Sequence, residues 1–147
     1  MQNKKWTLII AAEFNKQFSV GLASGKQLLF SKTINKPFKH SEFLLKTIIE
    51  LLRAAEVRLD ALNQIIIADG PGDFSALRTG IATANTLAYA LDIPIGGAHI
   101  TKSFENEKEK LQWLLSNANI NKKQFGMKNL VMPKYDKEPN IRTGASN

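Results

Sequence analysis

Short apolar runs separated by turn residues dominate the first hundred positions. The run Trp6–Ala12 has the length of a strand and predicts a central strand buried on both faces. Phe18–Ala23 and Gln27–Phe30 follow after short polar turns, and three strands in such close succession predict an antiparallel meander. Two further strands are predicted at Gln64–Ala68 and Ile93–Ala98.

Residues 41–57 have the periodicity of a helix that carries more apolar surface than one neighbour covers. Its apolar positions span an arc of roughly 160°, against the ~100° stripe that packs on a single surface. We therefore expect this helix to contact the sheet and one other element. Side-chain pairs at i,i+3 and i,i+4 are predicted along its charged stripe. That stripe consists of Glu42, Lys46, Glu50 and Arg53.

A second helix is predicted from Ser75, a residue type that caps helix amino termini, to about Leu91. Gly80 in its middle costs about 1 kcal/mol relative to alanine. Close approach of another helix is the natural reason for a glycine there. The small stripe that contains it comprises Ala76, Gly80, Thr83, Leu87 and Ala90, and a polar stripe comprises Arg78, Asn85 and Tyr89.

The element order βββαβαβ predicts an α/β fold with a mixed five-stranded sheet, in which a three-strand antiparallel meander is joined by two parallel strands and covered by helices. After it, Phe104–Asn117 is predicted to be a helix capped by Ser103, and Leu130–Met132 a short strand. Residues 138–147 are predicted to be a frayed tail. The chain thus divides into a lobe of residues 1–100 and a smaller segment of residues 101–147.

Composition excludes several classes of site. The 147 residues include no cysteine, which excludes disulfides, iron–sulfur clusters and thiolate zinc sites. They include two histidines, which disfavours a histidine-rich metal cage. No apolar run reaches the 18 or so residues of a membrane span, and a cytoplasmic location is expected.

The chain has a formal net charge of +7. Residues 1–100 contribute 11 Lys and Arg against 8 Asp and Glu, and residues 101–147 contribute 9 against 5. Such a surface attracts RNA or an acidic protein, or is simply a solvated lysine-rich surface. Basic and aromatic residues do not interleave along the sequence as they do in an RNA-recognition motif.

The segment Asp69–Ser75 is a tight turn with two chemical interpretations. It is either a structural turn or a phosphate cradle at a helix amino terminus, and Asp69 and Asp73 beside it disfavour an anion. The same two aspartates are either a catalytic carboxylate pair or residues that cap the helix and bond turn amides.

Three other polar residues are open to similar alternatives. His40 is either an acid–base group or a surface or capping residue before a helix. His99 lies near a strand end with no carboxylate close in sequence. Arg78 is expected to pair with Asp69 or Asp73, or with a partner protein.

The turn and the helix start together resemble the signature of the TsaB family, G-P-G-S-F-T-G-L-R-x-G-x-x-x-A. Residues 40–45 are similar to that family's H-S-E-x-L-L, and residues 19–22 to its S-V-A-L. TsaB is the non-catalytic, actin-like partner in bacterial tRNA threonylcarbamoyladenosine synthesis. The signature matches at Gly70, Pro71, Gly72, Phe74, Leu77, Arg78, Gly80 and Ala84, and departs at Asp73, Ser75 and Ala76.

Two departures shape what the resemblance implies. Nucleotide-binding actin-like (ribonuclease-H-like) lobes carry Asp-Thr-Ser after the first strand, where this chain reads Ala12, Glu13 and Phe14, so no ATP or other cofactor is expected. Typical members continue into a full second lobe, whereas residues 101–147 fit only a reduced one. Residues 131–135 resemble the family's closing P-x-Y segment.

The resemblance implies a non-catalytic subunit that docks two helices on a TsaD-like catalytic subunit as a heterodimer, or on a second copy when that subunit is absent. Together they would serve threonylcarbamoylation of the adenosine next to the tRNA anticodon, with metal and tRNA contacted mainly through the partner. No membrane partner is expected. Candidate partner-interface residues are Leu44, Leu45, Ile48, Leu52, Ala76, Gly80, Thr83, Ala84 and Leu87. The alternatives are a small actin-fold phosphotransferase and a stand-alone basic tRNA-binding module.

Overall fold

The structure is a computed structural model, and it describes residues 4–120 and 130–135. A six-stranded mixed sheet in the order β3-β2-β1-β4-β5-β6 forms its centre. The strands are β1 (Trp6–Phe14), β2 (Gln17–Ser24), β3 (Gln27–Ile34), β4 (Leu62–Gly70), β5 (Ile95–His99) and β6 (Asn119–Ile120).

The pairing confirms the predicted meander and the two parallel strands. β1 pairs antiparallel with β2, and β2 pairs antiparallel with β3. β4 pairs parallel with β1, and β5 pairs parallel with β4. β1 and β4 are buried along almost their whole length, as expected for central strands covered on both faces. The two-residue β6 pairs antiparallel with β5 and was not predicted.

Three helices cover the sheet: α1 (His40–Ala54), α2 (Phe74–Leu91) and α3 (Glu107–Asn117). The helices α1 and α2 pack against each other and against one face, where Leu8, Ile10 and Ile67 belong to the larger core. The other face, with Ile9 and Ile66, forms a smaller core under Leu111 and Leu114 of α3. The prediction that α1 contacts the sheet and one other element is confirmed.

Both predicted caps are wrong. The N-cap of α2 is Asp73 rather than Ser75, and the N-cap of α3 is Asn106 rather than Ser103. The Asn106 side chain accepts a hydrogen bond from the Glu109 N–H at 2.9 Å, which moves the start of α3 three residues beyond the predicted one.

Some other predictions are contradicted, and two are not tested by the described residues. Leu130–Met132 is not a strand, and residues 138–147 lie outside the described residues. On α1, Glu50 pairs with Lys32 of β3 at 3.4 Å rather than within the charged stripe. The Lys46 ammonium of that stripe lies over the Phe43 ring. The division into residues 1–100 and 101–147 stays a prediction, and α3 packs on four strands of the lobe.

Gly80 faces the sheet and not another helix. A Cβ built there would lie 3.0 Å from the Ala12 Cβ of β1 and 3.8 Å from Ile67 Cδ1 of β4. The small residue therefore allows α2 to approach the sheet closely, which corrects the prediction of a helix–helix contact at this position.

Candidate functional site

The turn after β4 connects several elements at the carboxyl end of the parallel strands. The Asp73 N–H donates to the Glu13 carbonyl of β1 at 2.8 Å, and the Ile100 N–H after β5 donates to the Gly70 carbonyl at 2.8 Å. The peptide bond between Gly70 and Pro71 is cis. These bonds make the turn a junction between β1, β5 and the start of α2.

Two glycines of the turn have no space for a side chain. Gly70 has a φ of +147°, and a Cβ there would overlap the Lys134 carbonyl. A Cβ on Gly72 would lie 2.8 Å from the Glu13 Cβ and would overlap the Glu13 carbonyl oxygen. The chain's own backbone fills the surroundings of the turn, which favours the structural interpretation over a phosphate cradle.

The two aspartates of the turn have different partners. Asp73 accepts a hydrogen bond from the Asn15 N–H at 2.6 Å, which ties the turn to the β1–β2 connection. The side chain of Asp69 is buried and lies 3.3 Å from His99 Nδ1 and 3.7 Å from Lys134 Nζ. The Asp73 side chain forms no cap hydrogen bond, so the helix-capping interpretation is wrong for this residue, and only its bond to the Asn15 N–H matches the expected bonding of turn amides.

The Asp69–His99 contact is one that sequence reasoning missed, because His99 was assigned no carboxylate neighbour. The two residues lie 30 positions apart. The available signal was topological, since Asp69 and His99 stand near the carboxyl ends of adjacent parallel strands, which meet at one edge of a sheet.

His40 is buried, and the expectation of a surface residue is wrong. Its ring lies edge-on to Phe18 with the centroids 5.2 Å apart, and its Nε2 has no hydrogen-bond partner among the described residues. Burial lowers the pKa of His40 below its ordinary value of 6.5, although the carbonyls of Phe14 and Gln17 act in the opposite direction. The neutral imidazole therefore belongs to the core beneath α1.

Residues 130–135 form a strap across α2 and the turn. The Asn85 side chain donates to the Val131 carbonyl at 2.8 Å and accepts from the Val131 N–H at 2.9 Å. Tyr135 stacks on Phe74 with ring centroids 5.2 Å apart. The Arg78 guanidinium also lies over the Phe74 ring, 5.2 Å from its centroid. The predicted pair of Arg78 with Asp69 or Asp73 is therefore not formed.

A buried charge cluster lies at the end of β1, around Glu13. Lys110 Nζ of α3 is 2.7 Å from Glu13 Oε2 and 3.4 Å from Glu107 Oε2. Glu107 also accepts hydrogen bonds from Ser19 and Gln17. Glu13 is paired with the chain's own ammonium group, and no sequence pattern indicated a contact between residues 97 positions apart.

The nine candidate interface residues are mostly turned toward the protein's own core. Leu45 is 51% exposed and Thr83 is partly exposed. The other seven are buried under α1 and α2: Leu44, Ile48, Leu52, Ala76, Gly80, Ala84 and Leu87. After its first two residues, α2 exposes five positions, of which only Ala90 belongs to the predicted small stripe: Arg78, Ala82, Thr86, Tyr89 and Ala90.

Two features are absent from residues 4–120 and 130–135. This part of the chain contains no group of three or more His, Cys, Asp or Glu placed to hold a metal ion. It also contains no helix long and apolar enough to cross a membrane.

The known proteins that this chain resembles have related names. A family model described as "TsaD: tRNA N6-adenosine threonylcarbamoyltransferase" matches residues 36–109. A protein of that name from Geotalea uraniireducens is 43% identical over 65 residues, which is 44% of this chain and 19% of the relative. The tRNA threonylcarbamoyladenosine biosynthesis protein TsaB of Buchnera aphidicola is 29% identical over 106 residues, 69% of this chain and 50% of the relative.

A solved structure agrees with the sequence relatives. YeaZ from Pseudomonas aeruginosa superposes with a TM-score of 0.60 and 29% identity, over 65% of this chain and 44% of that chain. The present chain thus spans half the length or less of these relatives. Because the family model covers half of the 147 residues, the chain belongs to the TsaD family of actin-like proteins, and within it resembles TsaB.

Proposed function

We propose that this chain is a non-catalytic partner subunit in tRNA threonylcarbamoyladenosine synthesis, and that it docks on a TsaD-like catalytic subunit. The names of its relatives support the process. The observation that carries the docking role is the outward surface of α1 and α2. This docking face consists of Leu45 on α1 and Ala82, Thr86, Tyr89 and Ala90 on α2, all exposed.

The docking face suits helix packing against another protein. Leu45 and Tyr89 are 51% and 62% exposed, which is high for large apolar or aromatic side chains. On α2, Ala82, Thr86 and Ala90 recur at intervals of four residues, and their small side chains leave room for a partner helix to approach. The seven buried residues of the predicted interface pack in the core and hold α1 and α2 in place beneath this face.

The test is calorimetric titration of a TsaD-like protein with the wild-type chain and two arginine variants. Thr86→Arg adds a long charged side chain at the centre of the docking face, and we expect at least about a tenfold loss of affinity. Ser116→Arg adds the same side chain to an exposed position of α3 and is expected to leave affinity unchanged. Equal binding by the wild-type chain and Thr86→Arg would refute the proposed face.

A further inference from the structure

The loops at the carboxyl end of β1 come together into one surface. It consists of residues 14–17, 35–39, 71–74, 100–105 and 132–135, and we call it the loop surface. The sheet topology places them together because β1, β4 and β5 run parallel and β3 ends where β2 begins.

Hydrogen bonds hold the parts of this surface in register. The Phe38 N–H donates to the Asn15 carbonyl at 2.8 Å, and the Ser75 hydroxyl donates to the Asn15 side chain at 3.1 Å. The Lys134 N–H donates to the Asp69 carbonyl at 2.7 Å. The loops are therefore braced against one another rather than independent.

Exposed aromatic rings are concentrated on the loop surface. Phe14, Phe38 and Phe74 are 37%, 73% and 40% exposed, although each lies far from the others in sequence. Phe38 has a φ of +59°, a left-handed conformation that is unfavourable for a bulky side chain and that is kept here with the ring in solvent. Phe74 stacks on Tyr135 and lies under the Arg78 guanidinium, and Phe14 lies under the Lys110 ammonium. Of the three rings, Phe38 alone has no ring or cation of the described residues over its face, and it is the main stacking platform of the loop surface.

The same loops carry an excess of positive charge. The five ranges contain two acidic residues, Asp73 and Glu105, and five lysines, so their formal charge is +3. The lysines are Lys16, Lys36, Lys39, Lys102 and Lys134. Within the ranges that the structure describes, Lys16, Lys36 and Lys102 form no ion pair. Phe14, Lys16 and Lys102 also line a cleft of about 520 Å³, whose two carboxylates, Glu13 and Glu107, are paired with Lys110.

We infer that the loop surface binds a single-stranded segment of RNA. Exposed aromatic faces stack on unpaired bases, and unpaired lysines neutralise the phosphates that connect them. An acidic protein would use the lysines but would gain little from flat, solvent-exposed rings. The loop surface is separate from the docking face, so RNA binding goes beyond the proposed docking role. Only the choice of RNA over DNA rests on the proposed function in tRNA threonylcarbamoyladenosine synthesis.

The sequence conceals this surface because its parts are dispersed. Aromatic and basic residues do not interleave in any one segment, and only the fold brings Phe14, Phe38 and Phe74 to the same end of the sheet. The docking face lies on the outward sides of α1 and α2, so one chain has room for both contacts.

The test is fluorescence anisotropy of the full chain, without a partner protein, with a labelled single-stranded RNA of about 12 nucleotides. We expect binding that weakens between about 50 and 200 mM salt. Lys16→Glu combined with Lys102→Glu should reduce affinity at least about tenfold and the salt slope by about 1.4. Phe38→Ala should reduce affinity about tenfold through the loss of one stacking ring.

A matched control carries the same charge change at the opposite end of the sheet. Lys5→Glu combined with Lys26→Glu should keep affinity within about twofold of the wild-type chain, since both lysines lie near the amino end of β1. Circular dichroism checks that every variant is folded.

Three results would overturn the inference. They are no binding up to about 100 µM chain at 50 mM salt, equal weakening by the control pair, and displacement of the RNA by polyglutamate at the same charge concentration. None of these results bears on binding to a TsaD-like protein, so the docking proposal is tested separately.

Discussion

Glycine at position 72 illustrates how a sequence signature follows from backbone contact. Its missing side chain lets the turn after β4 touch the Glu13 backbone, and the Asp73 N–H then reaches the Glu13 carbonyl. The signature residues Gly70 and Gly72 are thus explained by close packing, without a ligand.

The Gly72→Ala variant tests this explanation. We expect a loss of about 1–3 kcal/mol in the free energy of unfolding, because the new Cβ forces the turn away from β1. Urea denaturation measures it. Ser103→Ala at an exposed loop position is the control, and it should change the free energy of unfolding by no more than about 0.5 kcal/mol. Equal stability of the two variants would show that the contact at Gly72 is unimportant.

His40 makes stability depend on pH in a defined direction. Because burial lowers its pKa, the unfolded chain takes up a proton below about pH 6.5 that the folded chain does not. The free energy of unfolding is therefore highest, as far as His40 is concerned, above about pH 6.5, and it decreases as the pH falls toward the lowered pKa. The nearby carboxylates of Glu13 and Asp73 raise the pKa of His40 and so make the shift smaller.

The His40→Gln variant isolates that contribution. The wild-type chain should lose more stability than the variant between about pH 7.5 and pH 5.5, as followed by urea denaturation at both values. If the two chains lost equal stability over this interval, the buried imidazole would not be the group responsible.

At the scale of elements, the hydrophobic pattern predicts which helices and strands exist, and in what order, better than it predicts where each begins and ends. Five of the six expected strands and all three expected helices are present, because each buries an apolar face that its periodicity reveals, whereas the strand expected at Leu130–Met132 is absent. The start of α3 and the two caps were wrong, since they depend on local hydrogen bonds that several Ser, Asp and Asn residues could have formed. The prediction that Gly80 of α2 contacts another helix was also wrong, because Gly80 faces the sheet.

The attachment of α3 depends on a contact that no periodicity encodes. Lys110→Met would leave the Glu13 carboxylate buried without its cation, and we expect a loss of about 3–5 kcal/mol in the free energy of unfolding. Thermal and urea denaturation measure the change.

Two variants control this prediction. Lys108→Met on the exposed side of the same helix should change stability by no more than about 0.5 kcal/mol. Adding Glu13→Gln to Lys110→Met should recover part of the loss, because the unpaired charge is removed. A Lys110→Met chain as stable as Lys108→Met would contradict the role of the buried pair.

For the whole molecule, the sequence predicted the mixed sheet and the resemblance to TsaB, and both are confirmed. It did not predict the surfaces. Most of the expected interface residues, such as Ile48 and Ala84, are fully buried, because a helix pattern identifies the apolar side without saying which positions the chain itself covers. The loop surface was likewise invisible until β1, β4 and β5 were placed side by side.

The central claim is that α1 and α2 present their outward side to a TsaD-like protein. Hydrogen–deuterium exchange of the chain with and without that protein measures it most directly. The account predicts slower exchange in peptides covering Leu45 and Thr86, and unchanged exchange in α3. Protection confined to α3 or to the strap, with α1 and α2 unchanged in a mixture that forms a complex, would contradict it.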